Sequence, residues 1–222
     1  MNPHFYMNPV SSRRRRAFTL LELLAVISII SVIAALLLSG AGAASKNSKL
    51  KLAEAQRDQL ITFIDGYFGR RGVYPPDNPA VPSHNPLYYE LAGTTNRNAT
   101  FSPPGGTPIA QTTIQAAFGM GGFINSITPG ADVADQPMQT FLKGLKDNQT
   151  YTQSTNGHNY TLLCVFLPNP YVNPPAPPAP WNYVAAPHAT NNPATYDLWV
   201  DVKLGGYTWR ISNWNKQAQR LN

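Results

Sequence analysis

The sequence predicts an α+β protein: one long N-terminal helix, half transmembrane and half amphipathic, packed on a small C-terminal antiparallel β-sheet with long loops. Three observations carry this. Residues 23–45 contain no charged side chain, and about 23 residues at a rise of about 1.5 Å cross a bilayer core of about 30 Å. Beyond them no proline interrupts the chain before Pro75, and Ala53, Leu60, Ile64 and Phe68 recur at helical spacing with Phe63 and Tyr67 flanking. At the other end Tyr196, Leu198, Val200, Val202 and Leu204 alternate with Asp197, Trp199, Asp201 and Lys203, the period of a half-buried strand.

At the start of the chain Arg13, Arg14, Arg15 and Arg16 run into Ala17 and Phe18, after which Thr19-Leu20-Leu21-Glu22 opens the apolar helix. A cleavable secretory signal has an apolar core of about 7–15 residues ending at a small-x-small site. Here the apolar run continues past Leu38 into a polar helical pattern. The tetrad reads as a positive-inside signal that keeps the N-terminus cytoplasmic and sends the rest across. Glu22 sits at the entrance to the apolar run. A carboxylate facing lipid costs several kcal/mol, so one at this depth has a partner or a function. In the first helical turn it also meets unpaired N–H groups and the positive end of the helix dipole.

These residues resemble the class III signal of type IV pilins and type II secretion pseudopilins, in which a basic leader and a small residue precede a Phe-Thr-Leu-Leu-Glu helix start. Ala17 stands where that family usually carries glycine. The resemblance implies that a prepilin peptidase cuts between Ala17 and Phe18 on the cytoplasmic side and methylates the new amine of Phe18. It also implies that Glu22 pairs with the Phe18 amine of a neighbouring subunit during assembly. Within lipid an unpaired carboxylate and an unpaired ammonium are both unfavourable, so a register joining them is selected. The expected organisation is then a cleaved leader at 1–17, a transmembrane and assembly helix at 18–45, its amphipathic continuation at 46–73 and a periplasmic pilin-like domain at 74–222.

Charge changes meaning with this reading. The chain carries 17 Lys+Arg against 11 Asp+Glu, formally +6, and removing the four leader arginines leaves about +2. Nucleic acid is therefore not an expected partner, since phosphate binding needs clustered Lys/Arg that survive in the mature chain.

After the long helix, for which Gly69 and Gly72 around Arg70 and Arg71 are the stop signals, Tyr74-Pro75-Pro76-Asp77 is the exit. A Tyr-Pro here also resembles the major pseudopilins. Asn85-Pro86 caps a short helix through Tyr88, Tyr89 and Leu91, ended by Gly93. A second short helix is expected near Pro137, where Met138, Phe141, Leu142 and Leu145 have the spacing of one buried face. Residues 93–135 read as loops, Tyr160 to Leu167 as a strand and Pro174 to Pro180 as an extended loop. Gly205-Gly206 turns the C-terminal strand into Tyr207, Trp209 and Ile211. A two-residue loop pairs Leu204 with Tyr207, Val202 with Trp209 and Val200 with Ile211, which places Asp201 opposite Arg210 on the outer face.

The tail, Tyr196-Asp197-Leu198-Trp199 and Ile211-Ser212-Asn213-Trp214, resembles the C-terminal motif of G-type pseudopilins. Many of those relatives bind calcium in an acidic loop between these strands. Lys203-Leu204-Gly205-Gly206 replaces that loop here, and a tight hairpin cannot supply the six to eight oxygens calcium prefers. No metal and no cofactor are expected.

Enzyme motifs are absent. Cys164 lies in an apolar strand pattern and reads as a small core residue, and one cysteine excludes an intrachain disulfide. His4, His84, His158 and His188 are scattered without ligand spacing. Gly119-Met120-Gly121-Gly122 and Pro103-Pro104-Gly105-Gly106 lack the context of a phosphate loop. Tyr171 and Trp181 read as partner contacts or as buried loop anchors. The leading expectation is a non-enzymatic subunit of a type II secretion pseudopilus in the inner membrane, with a periplasmic C-terminal domain. Its partners would be identical subunits, prepilin peptidase, other pseudopilins and inner-membrane assembly components. The alternatives are a type IV pilin or minor pilin, and a membrane-anchored periplasmic enzyme or sensor.

Overall fold

The computed structural model describes residues 19–130, 137–165, 167 and 178–221, with the side chains of residues 36–43 outside the description. The chain divides into two compact units, Met1–Ser45 and Lys46–Asn222. Helix α1 (Leu20–Arg71) contributes residues to both. In the first unit its described side chains are mostly apolar and all exposed, the large apolar ones from Leu20 at 81% to Val26 at 44%. Ser28 and Ser31 donate their hydroxyls back to Leu24 O and Ile27 O at 2.8 and 2.7 Å, so neither hydroxyl is left unpaired on this surface.

In the second unit the same helix becomes one-sided. Leu50, Ala53, Leu60, Phe63, Ile64 and Tyr67 are buried, at the three- and four-residue steps that put side chains on one face. The expected stripe is corrected at its end: Tyr67 is fully buried and Phe68 is 40% exposed. Tyr67 continues the row from Leu60, and its hydroxyl donates to the buried Glu90 at 3.0 Å. Phe68 instead stacks on Tyr74 outside the core, ring centroids 4.4 Å apart. The helix stops where Gly72 takes a positive φ of 73° and donates its N–H to Phe68 O.

Helix α2 (Leu87–Ala92) forms as expected. Asn85 Oδ1 accepts from Leu87 N at 3.3 Å, while its Nδ2 donates to Pro82 O and Trp181 O. Gly93 ends the helix at a φ of 73°, and a Cβ there would lie 2.6 Å from Met138 Sδ. That close approach belongs to a correction: residues 137–146 form no helix. The segment is held extended because its donors are taken by neighbours: Phe141 N by Leu91 O, Thr140 Oγ1 by Ala92 O and Gln139 N by Asn125 Oδ1. Phe141, Leu142 and Leu145 still pack on the core, Phe141 against Tyr67.

Residues read as loops also hold regular structure. Strands β1 (Thr94–Arg97), β2 (Thr100–Ser102), β3 (Ile109–Ala110) and, after helix α3 (Gln111–Phe118), β4 (Ser126–Ile127) form a sheet ordered β3-β2-β1-β4. In it β1 pairs antiparallel with β2 and parallel with β4. Strands β5 (Thr150–Thr155), β6 (His158–Val165) and β7 (Ala179–Pro180) form an antiparallel three-stranded sheet. The expected strand is thus β6, two residues earlier at its start and ending at Val165, and the last two residues of the proline run are β7. Residues 168–177, with Tyr171 and the first part of that run, lie outside the described residues.

The C-terminal sheet is ordered β11-β10-β9-β8, from β8 (Asn182–Ala185), β9 (Tyr196–Leu204), β10 (Tyr207–Ser212) and β11 (Asn215–Arg220), all antiparallel. Its β9–β10 register is the one the alternation and the Gly205-Gly206 turn predict: Leu204↔Tyr207, Val202↔Trp209, Asp201↔Arg210 and Val200↔Ile211. Both glycines have positive φ, 62° and 81°, the backbone of a two-residue turn whose twist matches the strands. Val200, Val202 and Ile211 enter the same core cluster as α1, and Asp201 and Arg210 form a bidentate pair at 2.7–2.8 Å. Edge strand β11 is held by α1 through two polar side chains that the apolar pattern does not announce. Glu54 Oε1 accepts from Ala218 N at 2.9 Å, and the buried Arg57 donates Nη1 to Ser212 O, Asn215 O and Lys216 O.

Candidate functional site

The first candidate site is the start of α1. Thr19 is the last residue before the helix, and Glu22 stands three positions on. Glu22 Oε2 accepts from Thr19 N at 2.9 Å and from Thr19 Oγ1 at 3.0 Å, and Glu22 N donates to Thr19 Oγ1 at 3.2 Å. This is a reciprocal capping box. It satisfies two backbone donors that a helix start otherwise leaves open, and it turns the carboxylate back toward the N-terminus. Glu22 Oε1 makes no hydrogen bond among the described residues. Thr19 was not among the expected site residues, although Thr-x-x-Glu is the spacing that signals such a box. Ala17, Phe18 and Arg13 to Arg16 lie outside the described residues.

No helix among the described residues is long and apolar enough to cross a membrane. The run read from the sequence, 23–45, passes through residues 36–43, whose side chains are not described.

The second candidate is the C-terminal motif, whose two halves the fold brings together. Asn213 Oδ1 accepts from Leu198 N, its Nδ2 donates to Tyr196 O, and its own N–H donates to Leu198 O. Trp199 and Trp214 meet with ring centroids 5.9 Å apart. Asp197 accepts the backbone N–H groups of Thr190, Asn191 and Asn192 at 2.8–2.9 Å. Burial alone would raise its carboxyl, but these donors and the Asn191 amide hold it below the usual carboxylate range. Tyr196 donates its hydroxyl to Asp65 on α1, and burial beside that carboxylate pushes its phenol up. The motif therefore ties β9 to β10, to residues 190–192 and to the helix.

Of the remaining chemistry-bearing residues, His84 and His158 line one small pocket with Tyr160, and the others lie apart from it. Cys164 is buried, and burial pushes its thiol up to about 12, so it is neither a thiolate nor reachable at neutral pH. His84 meets Tyr160, His158 meets Thr113 and His188 meets Asp77, while His4 lies outside the described residues. Among the described residues no group of three or more His, Cys, Asp or Glu is arranged to hold a metal ion. Gly119 is the left-handed C-cap of α3, Gly106 closes a turn on Pro103 and Trp181 is buried.

Comparison with known families matches residues 12–38 to the prokaryotic N-terminal methylation motif, the type IV pilin-like signal. No match was found among curated proteins or among solved structures. The motif indicates a type IV pilin-like protein processed by a prepilin peptidase and implies assembly into filaments.

Proposed function

We propose that this chain is a structural subunit of a type II secretion pseudopilus, cut between Ala17 and Phe18, methylated on Phe18 and polymerised from the inner membrane into the periplasm. The observation that carries the reading is the methylation motif at 12–38, joined to a helix start that caps itself with one oxygen of Glu22. The other oxygen is available to the amine of a neighbouring Phe18, and the exposed apolar side chains around it belong in lipid or against other subunits. Arg13 to Arg16 act as a disposable address that holds the leader on the cytoplasmic side. Residues 18–45 serve as anchor and assembly helix, 46–73 as its amphipathic continuation and 74–222 as the periplasmic domain. What favours a pseudopilin over a type IV pilin in this reading is the resemblance of the C-terminal sequence motif, Tyr196 to Trp199 and Ile211 to Trp214, to that of G-type pseudopilins.

Mass spectrometry of the protein purified from its native membrane tests processing: the first peptide begins with methylated Phe18. An intact Met1, or a cut near residues 41–44, overturns the reading. Deleting the gene then separates the two filament classes, since a pseudopilin loss blocks protein secretion and leaves surface pili intact.

A further inference from the structure

The outer face of the C-terminal sheet carries a cleft lined by residues from three of its strands. Its volume is about 270 Å³, near the lower end of the roughly 300–1,000 Å³ of small-molecule sites. Val184, Trp199 and Arg210 come from β8, β9 and β10, with Trp214 beside them and His188 and Asn191 on the facing loop. Two features pre-form it. Asp197 clamps residues 190–192 through three backbone N–H groups, and Asp201 holds the Arg210 guanidinium by two hydrogen bonds.

The occupant follows from what is left unpaired. The N–H groups of residues 190–192 already point at Asp197, so the loop has no anion nest to offer. The Arg210 guanidinium is matched by Asp201 and lies over the Trp199 ring, 6.0 Å from its centroid, and Asp197 adds a further negative charge to the lining. An acidic ligand is therefore disfavoured. A peptide strand is disfavoured too, because β8 meets residues 77–82 through Tyr183 N to Pro82 O and Ala185 N to Asp77 Oδ2. Among the described residues the indole N–H groups of Trp199 and Trp214, Arg210 Nη1, His188 Nε2 and Asn191 Oδ1 make no hydrogen bond. Indole surface beside single, separated donors and acceptors matches a molecule with apolar C–H faces and a rim of hydroxyls.

We propose that this cleft binds a neutral glycan, a pyranose ring wedged beside the tilted Trp199 and Trp214 indoles, with its hydroxyls met by the surrounding polar groups. The site is formed within one subunit, so it is tested independently of polymerisation. The full chain, in a detergent without a sugar headgroup, is screened against an array of neutral and acidic oligosaccharides, and the best neutral binder is titrated while the four indole N–H resonances are followed by NMR. The expected result is binding of a neutral oligosaccharide that shifts Trp199 and Trp214. Trp181, which is buried, and Trp209, whose Nε1 donates to Leu204 O, stay in place. Trp214→Ala weakens that binding about tenfold or more. Absence of any neutral binder, a preference for acidic glycans alone, or shifts confined to Trp181 and Trp209 would overturn the assignment.

Discussion

Helix α1 contains two regions that share a backbone conformation and differ in where their partners are. Residues 20–33 present apolar side chains to solvent, with Leu20, Leu23, Ile27, Ile30 and Ile33 all more than half exposed. Residues 50–67 are apolar on one face, and that face is buried among the strands of the same chain. Their acids differ in the same way. Among the described residues Glu22 bonds to Thr19, three residues away, whereas Glu54 reaches Ala218 in the edge strand. Among the described residues the first region buries none of its side chains, which fits the intermolecular role proposed for it, while the second contributes its row to the core.

The largest expected effect would break this comparison at its assembly end. Glu22→Ala should abolish filaments in electron micrographs while the protein still fractionates with the membrane. If filaments persist at wild-type number, the first region assembles without its acid. The next effect belongs to the second region. Ile64→Ala should cost about 3 kcal/mol in urea unfolding followed by tryptophan fluorescence, since it opens a cavity at a fully buried position. Phe68→Ala, one residue outside the buried row, should cost less than about 1 kcal/mol.

A smaller effect concerns Asp197 and acid. Its carboxyl is held below the usual range in the folded protein, so the stability it contributes is present above about pH 4, its unfolded range, and is lost as pH falls through the folded value. Asp197→Asn should therefore be less stable than wild type at pH 7, by about 1–2 kcal/mol for the lost charge-assisted bonds. The difference should shrink in a denaturation series taken from pH 5 to pH 2; a constant gap would show that the carboxylate charge is not what holds residues 190–192. The smallest effect is at the hairpin surface. The side chains of Asp201 and Arg210 are each about one-third exposed, and a double-mutant cycle should give a coupling below about 1 kcal/mol despite the bidentate geometry.

Legibility tracked the range of the interactions. The β9–β10 hairpin could be read residue by residue because a two-glycine turn and strict alternation fix register locally. The helix near Pro137 could not, because an i, i+3, i+4, i+7 pattern says only that Phe141, Leu142 and Leu145 face inward. The carbonyls of Leu91 and Ala92, some 50 residues earlier, take the donors and hold the segment extended. In the same way Thr94 and Thr95 pair in parallel with Ser126 and Ile127 across an intervening helix, a pairing with no local signature. At the candidate site the sequence located Glu22, and the capping partner Thr19 was available from spacing alone.

The sequence by itself determined the processing signal, the apolar run, the amphipathic row of α1, the α2 boundaries and the hairpin register. Each depends on neighbours within a few residues or on a fixed period. Only the tertiary structure decided that Tyr67 rather than Phe68 ends the buried row, that Arg57 and Glu54 hold β11, and that Trp199, Trp214 and Asn191 meet around one cleft. Those outcomes depend on donors and acceptors far apart in the chain, and folding brings them together only when the whole core closes.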